Sequence, residues 1–268
     1  MATNKSRTRP ARALSRVLRA PAFVLGLWVL QLLIAKLLAA PARSAARAGM
    51  RGHAWFEDGH RLRAMTELFT DEPSVVATIA AALTTSAILA GLFSVIAAPV
   101  ILVRLAGART WSTVLSRAVT KLPAVLVQTG YGLVFRALCT GLAAIPATLI
   151  GAGAVPLVLL IGSFPILVLD RARAAVVLED ERPYHPKTFL RAIIHVAKRP
   201  LWWSSGTVIE ALKIGVGVVA LMMVIQADMA GGVWWARVAG LLAVVLGLWR
   251  VSLAISPTQP TEPTEPQR

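Results

Sequence analysis

The sequence has few charged residues and only one cysteine. Of its 268 residues, 15% are Asp, Glu, Lys or Arg, against roughly 25% in ordinary soluble domains, and 56% are hydrophobic. The single cysteine, Cys139, excludes an intrachain disulfide and a cysteine-rich zinc site. Acidic residues are scarce, with 13 Asp and Glu against 28 Lys and Arg. A soluble globule of this length would lack polar surface, so lipid must cover part of the chain.

Motifs that carry enzyme chemistry are also missing. The sequence contains no phosphate-binding glycine loop, nucleophile elbow or paired-carboxylate site. Residues 57–63 share an Asp-Gly and an Arg with lipid-alcohol phosphotransferases, but the second pair of aspartates is absent. His53 and His60 flank Glu57 and Asp58, in a mixed loop that favours ordinary surface histidines over metal ligands. We therefore expect no enzymatic activity, no cofactor and no metal site.

Long apolar runs predict an all-α, polytopic membrane bundle. Residues 74–103 carry no charge and exceed the roughly 20 residues that a helix needs to cross a bilayer. Residues 122–169 carry only Arg136 and are too long for one span, which predicts a helical hairpin that turns at Gly151-Ala152-Gly153. Six spans are predicted, over 21–40, 74–103, 122–150, 154–169, 201–226 and 232–250.

The segments between the spans have distinct compositions. Residues 1–20 form a basic N-terminal segment, 41–73 a mixed outer loop, and 170–200 a charged link. Amphipathic patterns predict a basic surface helix within 12–20 and a second one that starts at Pro186. The tail, 254–268, is rich in Pro, Thr and Glu, which predicts disorder.

The distribution of Lys and Arg predicts the orientation. With the N-terminus inside, the inner segments hold 19 Lys and Arg and the outer segments hold 6. By the positive-inside rule, both termini are expected in the cytoplasm of a bacterium, with the chain in its inner membrane. The five basic residues of 41–73 run against this rule, but a five-span topology would move the seven basic residues of 170–200 outside. Most tryptophans fall near predicted membrane interfaces, as amphipathic indoles should.

The formal charge of +15 favours anionic lipid as a partner. The basic residues lie between apolar runs rather than on a repeated face with interleaved aromatics, which argues against nucleic acid. Asp170, Arg171 and Arg173 follow the fourth span, so they are interpreted as a charged stop at the headgroup layer, with Asp170 paired locally. The candidate lipid-phosphate contacts are Arg12, Arg16, Arg19, Arg171, Arg173, Lys187, Arg191 and Lys198.

Four charged residues lie inside the predicted spans, namely Lys36, Arg136, Glu210 and Lys213. One interpretation pairs Glu210 with Lys213 at i, i+3, while Lys36 and Arg136 extend outward to the interface. The other interpretation places all four around a polar cavity for an anionic headgroup or another anion.

The stretch "VVLEDERPYHPKTFLRAIIHVAKRPLWW" (176–203) resembles the cytoplasmic link of polytopic bacterial membrane proteins, akin to the membrane domain that accompanies some glycerophosphodiester phosphodiesterases. In that family the chemistry belongs to a separate soluble domain, so the resemblance implies an accessory or scaffolding module. The expected function is a non-enzymatic membrane module that scaffolds a partner, through 41–73 or 170–200, or organises lipid. A transporter or channel for an anionic or lipid-like solute is the alternative.

Overall fold

The structure, a computed structural model, describes residues 9–38, 40–41, 44, 73–108, 110–182, 184–226 and 229–255. All regular structure in these residues is helical, which confirms the all-α class. The predicted outer loop and tail, and with them His53, Glu57, Asp58 and His60, lie almost entirely outside the described residues. The described helices are α1 (Arg9–Leu18), α2 (Pro21–Leu38), α3 (Pro73–Leu105), α4 (Trp111–Ile150), α5 (Val155–Leu178), α6 (Pro186–Ala197), α7 (Pro200–Gln226) and α8 (Met229–Leu253).

Five of the described helices are long and apolar enough to cross a membrane. They are α4, α5, parts of α7 and α8, and Ile88–Leu105 of α3. A sixth span is obtained if α1 and α2, which meet at a bend of 78°, count as one broken span. This is the architecture of a multi-pass membrane protein.

Two helices extend past the predicted ends of their spans, at positions where charged residues were expected to end the span. Helix α4 begins at Trp111 rather than 122, and α5 continues to Leu178 rather than ending at 169. Residues Asp170 to Val177 are buried, because the charged side chains among them have partners within the protein. The turn between these helices lies where the glycines predict it, as a 3-10 turn over Gly151–Ala154 with Gly151 at φ 63°.

The described residues form two compact units. The first contains 9–24, 95–215 and 242–255, and its centre is the antiparallel hairpin of α4 and α5. Phe135 packs edge-to-face on Phe164, with ring centroids 5.9 Å apart, and Gly132 lies directly under Leu169. Elsewhere on α5, Leu167 and Val168 are fully buried.

Two further helices complete the packing around this hairpin. Helix α6 buries Phe189 and Val196, and Phe189 meets Phe135 edge-on. Helix α7 approaches α5 closely, because Gly206 leaves room for Leu167. This arrangement confirms the predicted second surface helix and gives it an apolar face, with exposed Lys187, Arg191 and Lys198 elsewhere on it or just after it.

The start of α4 is held to the end of α5 by hydrogen bonds and ion pairs. The Arg117 Nε–H donates to the carbonyl of Val177 (3.0 Å), and its guanidinium also pairs with Asp180 (3.2 Å). Lys121 Nζ lies 2.5 Å from the other Asp180 oxygen. A cation near the last carbonyls of a helix satisfies unpaired acceptors and opposes the helix dipole. Arg117 and Lys121, which precede the predicted start of the third span at 122, are therefore part of helix α4.

Replacing Asp180 by Asn is expected to lower the free energy of unfolding at pH 7, by less than about 1 kcal/mol because the carboxylate is largely exposed. The hydrogen bond from Lys121, and then the charges of Lys121 and Arg117, lower the pKa of Asp180, while partial burial opposes them. When folding lowers the pKa of a carboxyl group, the resulting stabilisation is fully present above the pKa of the unfolded state. It is lost as the pH falls through the pKa of the folded state. In detergent, the wild type should melt at a higher temperature than Asp180→Asn at pH 7 and at the same temperature in strong acid. A difference in melting temperature that does not change with pH would contradict this.

The second unit contains the described residues of 25–94 and 216–241. Within it, the Trp28 indole N–H donates to the carbonyl of Arg237 (3.1 Å), which joins α2 to α8. The hydroxyls of Thr84 and Thr85 donate to carbonyls one turn earlier in α3, so their hydrogen bonds are satisfied within the helix. The apolar side chains of Leu33, Leu37, Leu89 and Leu92 are exposed, as lipid-facing residues are.

Candidate functional site

The structure brings together two of the four charged residues that were predicted inside spans. Lys213 Nζ lies 3.7 Å from Glu210 Oε2 on α7, as the i, i+3 spacing predicts. Arg136 is exposed on α4 and has no ion pair with a described residue. Lys36, also exposed, belongs to the second unit. Within the first unit, Arg136 therefore forms no ion pair with Glu210, whose cationic partner on α7 is Lys213.

Glu210 instead belongs to a buried ion network that sequence reasoning missed. Arg250 Nε on α8 lies 2.7 Å from Asp170 Oδ2 on α5, and Arg250 Nη1 pairs with Glu210 Oε1. The side chains of these three residues are only 5–14% exposed. One guanidinium thus neutralises carboxylates from two other helices. A signal existed, because Asp170 and Arg250 both stand at the inner ends of predicted spans and carry opposite charge.

Two of the predicted lipid-phosphate contacts have partners within the protein. Arg171 forms a bidentate pair with Glu179, at 2.6 and 2.7 Å, and also donates to the Ala254 carbonyl at 3.3 Å. Arg173 is buried and donates to the Thr129 hydroxyl at 2.9 Å. The expected charged stop at the headgroup layer is therefore a set of internal contacts. Among the other candidates, Arg19, Lys187 and Lys198 are exposed, and Arg191 lies 3.5 Å from Glu181.

Helix α1 docks on the end of α8 and brings its arginines with it. The Trp249 indole N–H donates to the Pro10 carbonyl (2.9 Å), and Arg16 Nη1 donates to the Ile255 carbonyl (3.5 Å). Ala13 and Val17 are buried, so the predicted apolar and basic stripes of α1 are confirmed in part. Burial, and secondly the nearby Arg12, lower the pKa of Arg16. The cost of holding Arg16 charged favours an anion beside it.

Basic side chains from several helices converge on one cavity of about 40 Å³, here called the basic cavity. All its walls belong to the first unit, and none of the lining residues is acidic. Its floor includes the last turn of α8 and the first turn of α7. The basic and polar lining residues are Arg12, Arg16, Arg171, His195, Arg199, Trp202 and Ser252.

Two residues that line the basic cavity each carry a buried polar atom without a hydrogen-bond partner among the described residues. They are the indole N–H of Trp202 and the hydroxyl of Ser252, whose residues are 7% and 1% exposed. The Trp202 ring is held edge-on against His195, with centroids 5.5 Å apart. Sequence reasoning placed Trp202 at a membrane interface and did not consider Ser252, because nothing in either local sequence marks an unpartnered donor.

A second cavity, of about 520 Å³, lies in the link between α5 and α6. Its lining mixes acidic and basic side chains, including Glu179, Glu181, Lys187 and Arg191, so it has no strong preference for either sign of ligand. No group of three or more potential metal ligands occurs within the described ranges. The basic cavity is therefore the candidate site.

Comparison of the chain with models of protein families, with curated proteins and with solved structures gave no match.

Proposed function

We propose that the protein is a non-enzymatic integral membrane module that organises anionic lipid at the cytoplasmic face of a bacterial inner membrane. The observation that carries the proposal is the basic cavity, where four arginines from α1, α5 and the start of α7 converge without a lining carboxylate. The link resemblance of 176–203, which implies an accessory module without chemistry of its own, agrees with this function.

The depth of the basic cavity suits a lipid headgroup. Helix α7 begins at Pro200 and α8 ends at Leu253, and residues from both helix ends line the cavity. Because membrane helices end where hydrocarbon gives way to headgroups, this level is where lipid phosphates lie. The excess of Lys and Arg in the segments at the same ends of the spans, 19 against 6, favours the cytoplasmic side.

Charge favours an anionic lipid over a zwitterionic one. Glu179 neutralises Arg171, whereas the lining holds no carboxylate for Arg12 and Arg16. Each basic residue near an anionic membrane surface contributes about 1 kcal/mol of attraction. A single anionic headgroup in the cavity would meet several of them together.

The test is retention of lipid by the purified protein. Wild-type chain in mild detergent should keep anionic lipid, detected by native mass spectrometry, and should prefer phosphatidylglycerol to phosphatidylcholine in nanodiscs. Arg12→Gln with Arg16→Gln should weaken that retention by about 2 kcal/mol, or roughly 30-fold.

Lys187→Gln with Lys198→Gln is the matched control, since it removes two positive charges from exposed positions outside the basic cavity. The control should keep the tightly held lipid. Equal losses in both double variants, or no preference for anionic lipid in the wild type, would overturn the proposal. The same preparation, analysed for co-purifying proteins, would show whether a partner binds through 41–73 or 170–200.

The alternative, a transporter or channel for an anionic solute, would use Lys36, Arg136, Glu210 and Lys213. It receives less support, because Glu210 is engaged by Arg250 and Arg136 has no ion pair with the described residues. Transport of a labelled anion by reconstituted vesicles, abolished by Arg136→Gln, would favour it.

A further inference from the structure

We infer that the inner end of the basic cavity is a phosphoryl-binding site, where Trp202 and Ser252 donate hydrogen bonds to phosphate oxygens and the surrounding arginines balance their charge. The inference rests on the proposed function and specifies the chemistry of its ligand. The supporting observation is the pair of buried donors that have no partner among the described residues. A cavity that attracted anions by charge alone would not need them.

The indole of Trp202 differs from the other indoles whose hydrogen bonds are known. Trp28, Trp203 and Trp249 each donate to a backbone carbonyl, at 3.1, 3.2 and 2.9 Å. Trp202, the residue next to Trp203, is 7% exposed and has no such partner within the described part of the chain. A buried indole N–H normally has an acceptor, so we expect a bound ligand rather than a described residue to supply it.

Ser252 differs from other helical serines in the same way. Ser15, Ser163 and Ser205 each donate to a carbonyl one turn earlier, at 2.7–3.0 Å. Ser252, on α8, is 1% exposed, yet its hydroxyl makes no bond of this kind to any residue that the structure describes. An unmade hydrogen bond on a buried hydroxyl costs stability, which an acceptor in the cavity would recover.

The donor set determines the class of ligand. An indole N–H and a guanidinium can donate but not accept, so a ligand that meets Trp202, Arg12 and Arg16 together must be rich in acceptors. Guanidinium groups match the geometry of phosphate oxygens, and hydrogen bonds to charged oxygens are the stronger ones. An ammonium has no acceptor for these donors, and an uncharged sugar, although its hydroxyls accept hydrogen bonds, would leave the guanidinium charges unbalanced.

The size of the cavity limits how much of the ligand enters. A volume of about 40 Å³ holds about three water-sized spheres at 10–15 Å³ each. The oxygens of one phosphoryl group fit this space, whereas a whole headgroup does not. The rest of the ligand therefore lies outside the mouth, near Arg12 on α1, and the source of the phosphoryl group is either a lipid or free phosphate.

The test uses variants that remove one donor and little else. Ser252→Ala and Trp202→Phe should each weaken binding of phosphatidate in nanodiscs about tenfold, the usual effect of one hydrogen bond to a charged group. Without ligand, Ser252→Ala should melt at the same temperature as wild type or higher, because it removes an unsatisfied hydroxyl. A purely structural serine would give the opposite change in melting temperature.

Ser205→Ala is the matched control, since that hydroxyl donates to the Leu201 carbonyl and does not line the cavity. It should bind phosphatidate as wild type does. Titration with inorganic phosphate, followed by melting temperature, identifies the source: a response that Ser252→Ala abolishes assigns free phosphate, and binding of phosphatidate alone assigns the lipid.

The two proposals fail separately. If Arg12→Gln with Arg16→Gln loses anionic lipid while Ser252→Ala and Trp202→Phe bind phosphatidate as wild type, the proposed function stands and this inference is wrong. If the wild type retains no anionic lipid but Ser252→Ala abolishes a response to inorganic phosphate, the phosphoryl site stands without the lipid function. If the wild type retains no anionic lipid and binds neither phosphatidate nor inorganic phosphate, both fail.

Discussion

Replacing Arg250 by Met is expected to destabilise the protein by about 3–5 kcal/mol, the usual cost of removing one partner from a buried ion network. Asp170 and Glu210 would remain buried without their shared cation, and Lys213, at 3.7 Å and partly exposed, can compensate for only part of that loss. The measurement is the fraction of folded, monodisperse protein after detergent extraction, together with its melting temperature.

The control is Arg237→Met on the same helix, where the arginine side chain is exposed. It should leave the folded fraction and the melting temperature close to wild type. Neutralising the carboxylates as well, with Asp170→Asn and Glu210→Gln beside Arg250→Met, should restore much of the lost stability, because no charge is then left unpaired. A triple variant as unstable as the single one would show that packing, not charge, explains the loss.

Replacing Gly206 by Ala is expected to lower the free energy of unfolding by about 1–3 kcal/mol, although alanine is the better helix former. A Cβ at Gly206 would stand 2.5 Å from both Cδ atoms of Leu167 and 3.0 Å from its Cγ. Leu167 is fully buried and cannot move away without displacing its neighbours. The melting temperature in detergent is the measurement.

Gly215→Ala is the matched control, because an added Cβ at Gly215, on the same helix, meets nothing within 4 Å. It should gain up to about 1 kcal/mol from helix propensity alone. In a double-mutant cycle, Gly206→Ala with Leu167→Ala should cost less than the two single changes added together, since the smaller side chain removes the clash. If the two changes in the free energy of unfolding were strictly additive, there would be no steric clash between positions 206 and 167.

Much of the fold follows from the sequence because hydrocarbon imposes simple rules on length and polarity. An uncharged run such as 74–103 predicts a spanning helix without any knowledge of the helices that pack against it. The glycines at 151 and 153 predict the hairpin turn. The rule that charge ends a span fails for α4, because Arg117 and Lys121 pair with Asp180 just beyond α5. It fails for α5 because Asp170 pairs with Arg250 and Arg171 with Glu179. Such pairing satisfies charges locally and lets the helices continue.

The candidate site was predictable only in its parts. Arg12, Arg16 and Arg171 were identified as phosphate contacts from their positions near the ends of predicted spans. Their convergence with Trp202 and Ser252 was not, because it depends on helices far apart in the chain that pack side by side: Arg16 and Ile255, for example, are 239 positions apart. A single sequence has no periodic signal for adjacency of this kind.

The position of Arg250 in the chain constrains the order of assembly. Its two carboxylate partners, on α5 and α7, are synthesised first, and the cation that neutralises both arrives only with α8. Until then, each nascent chain carries two acidic groups that apolar surroundings disfavour. Before α8 is made, Glu210 has, among the described residues, only Lys213 on its own helix as a cationic partner, so the buried network of Asp170, Glu210 and Arg250 can close only once α8 has joined α5 and α7.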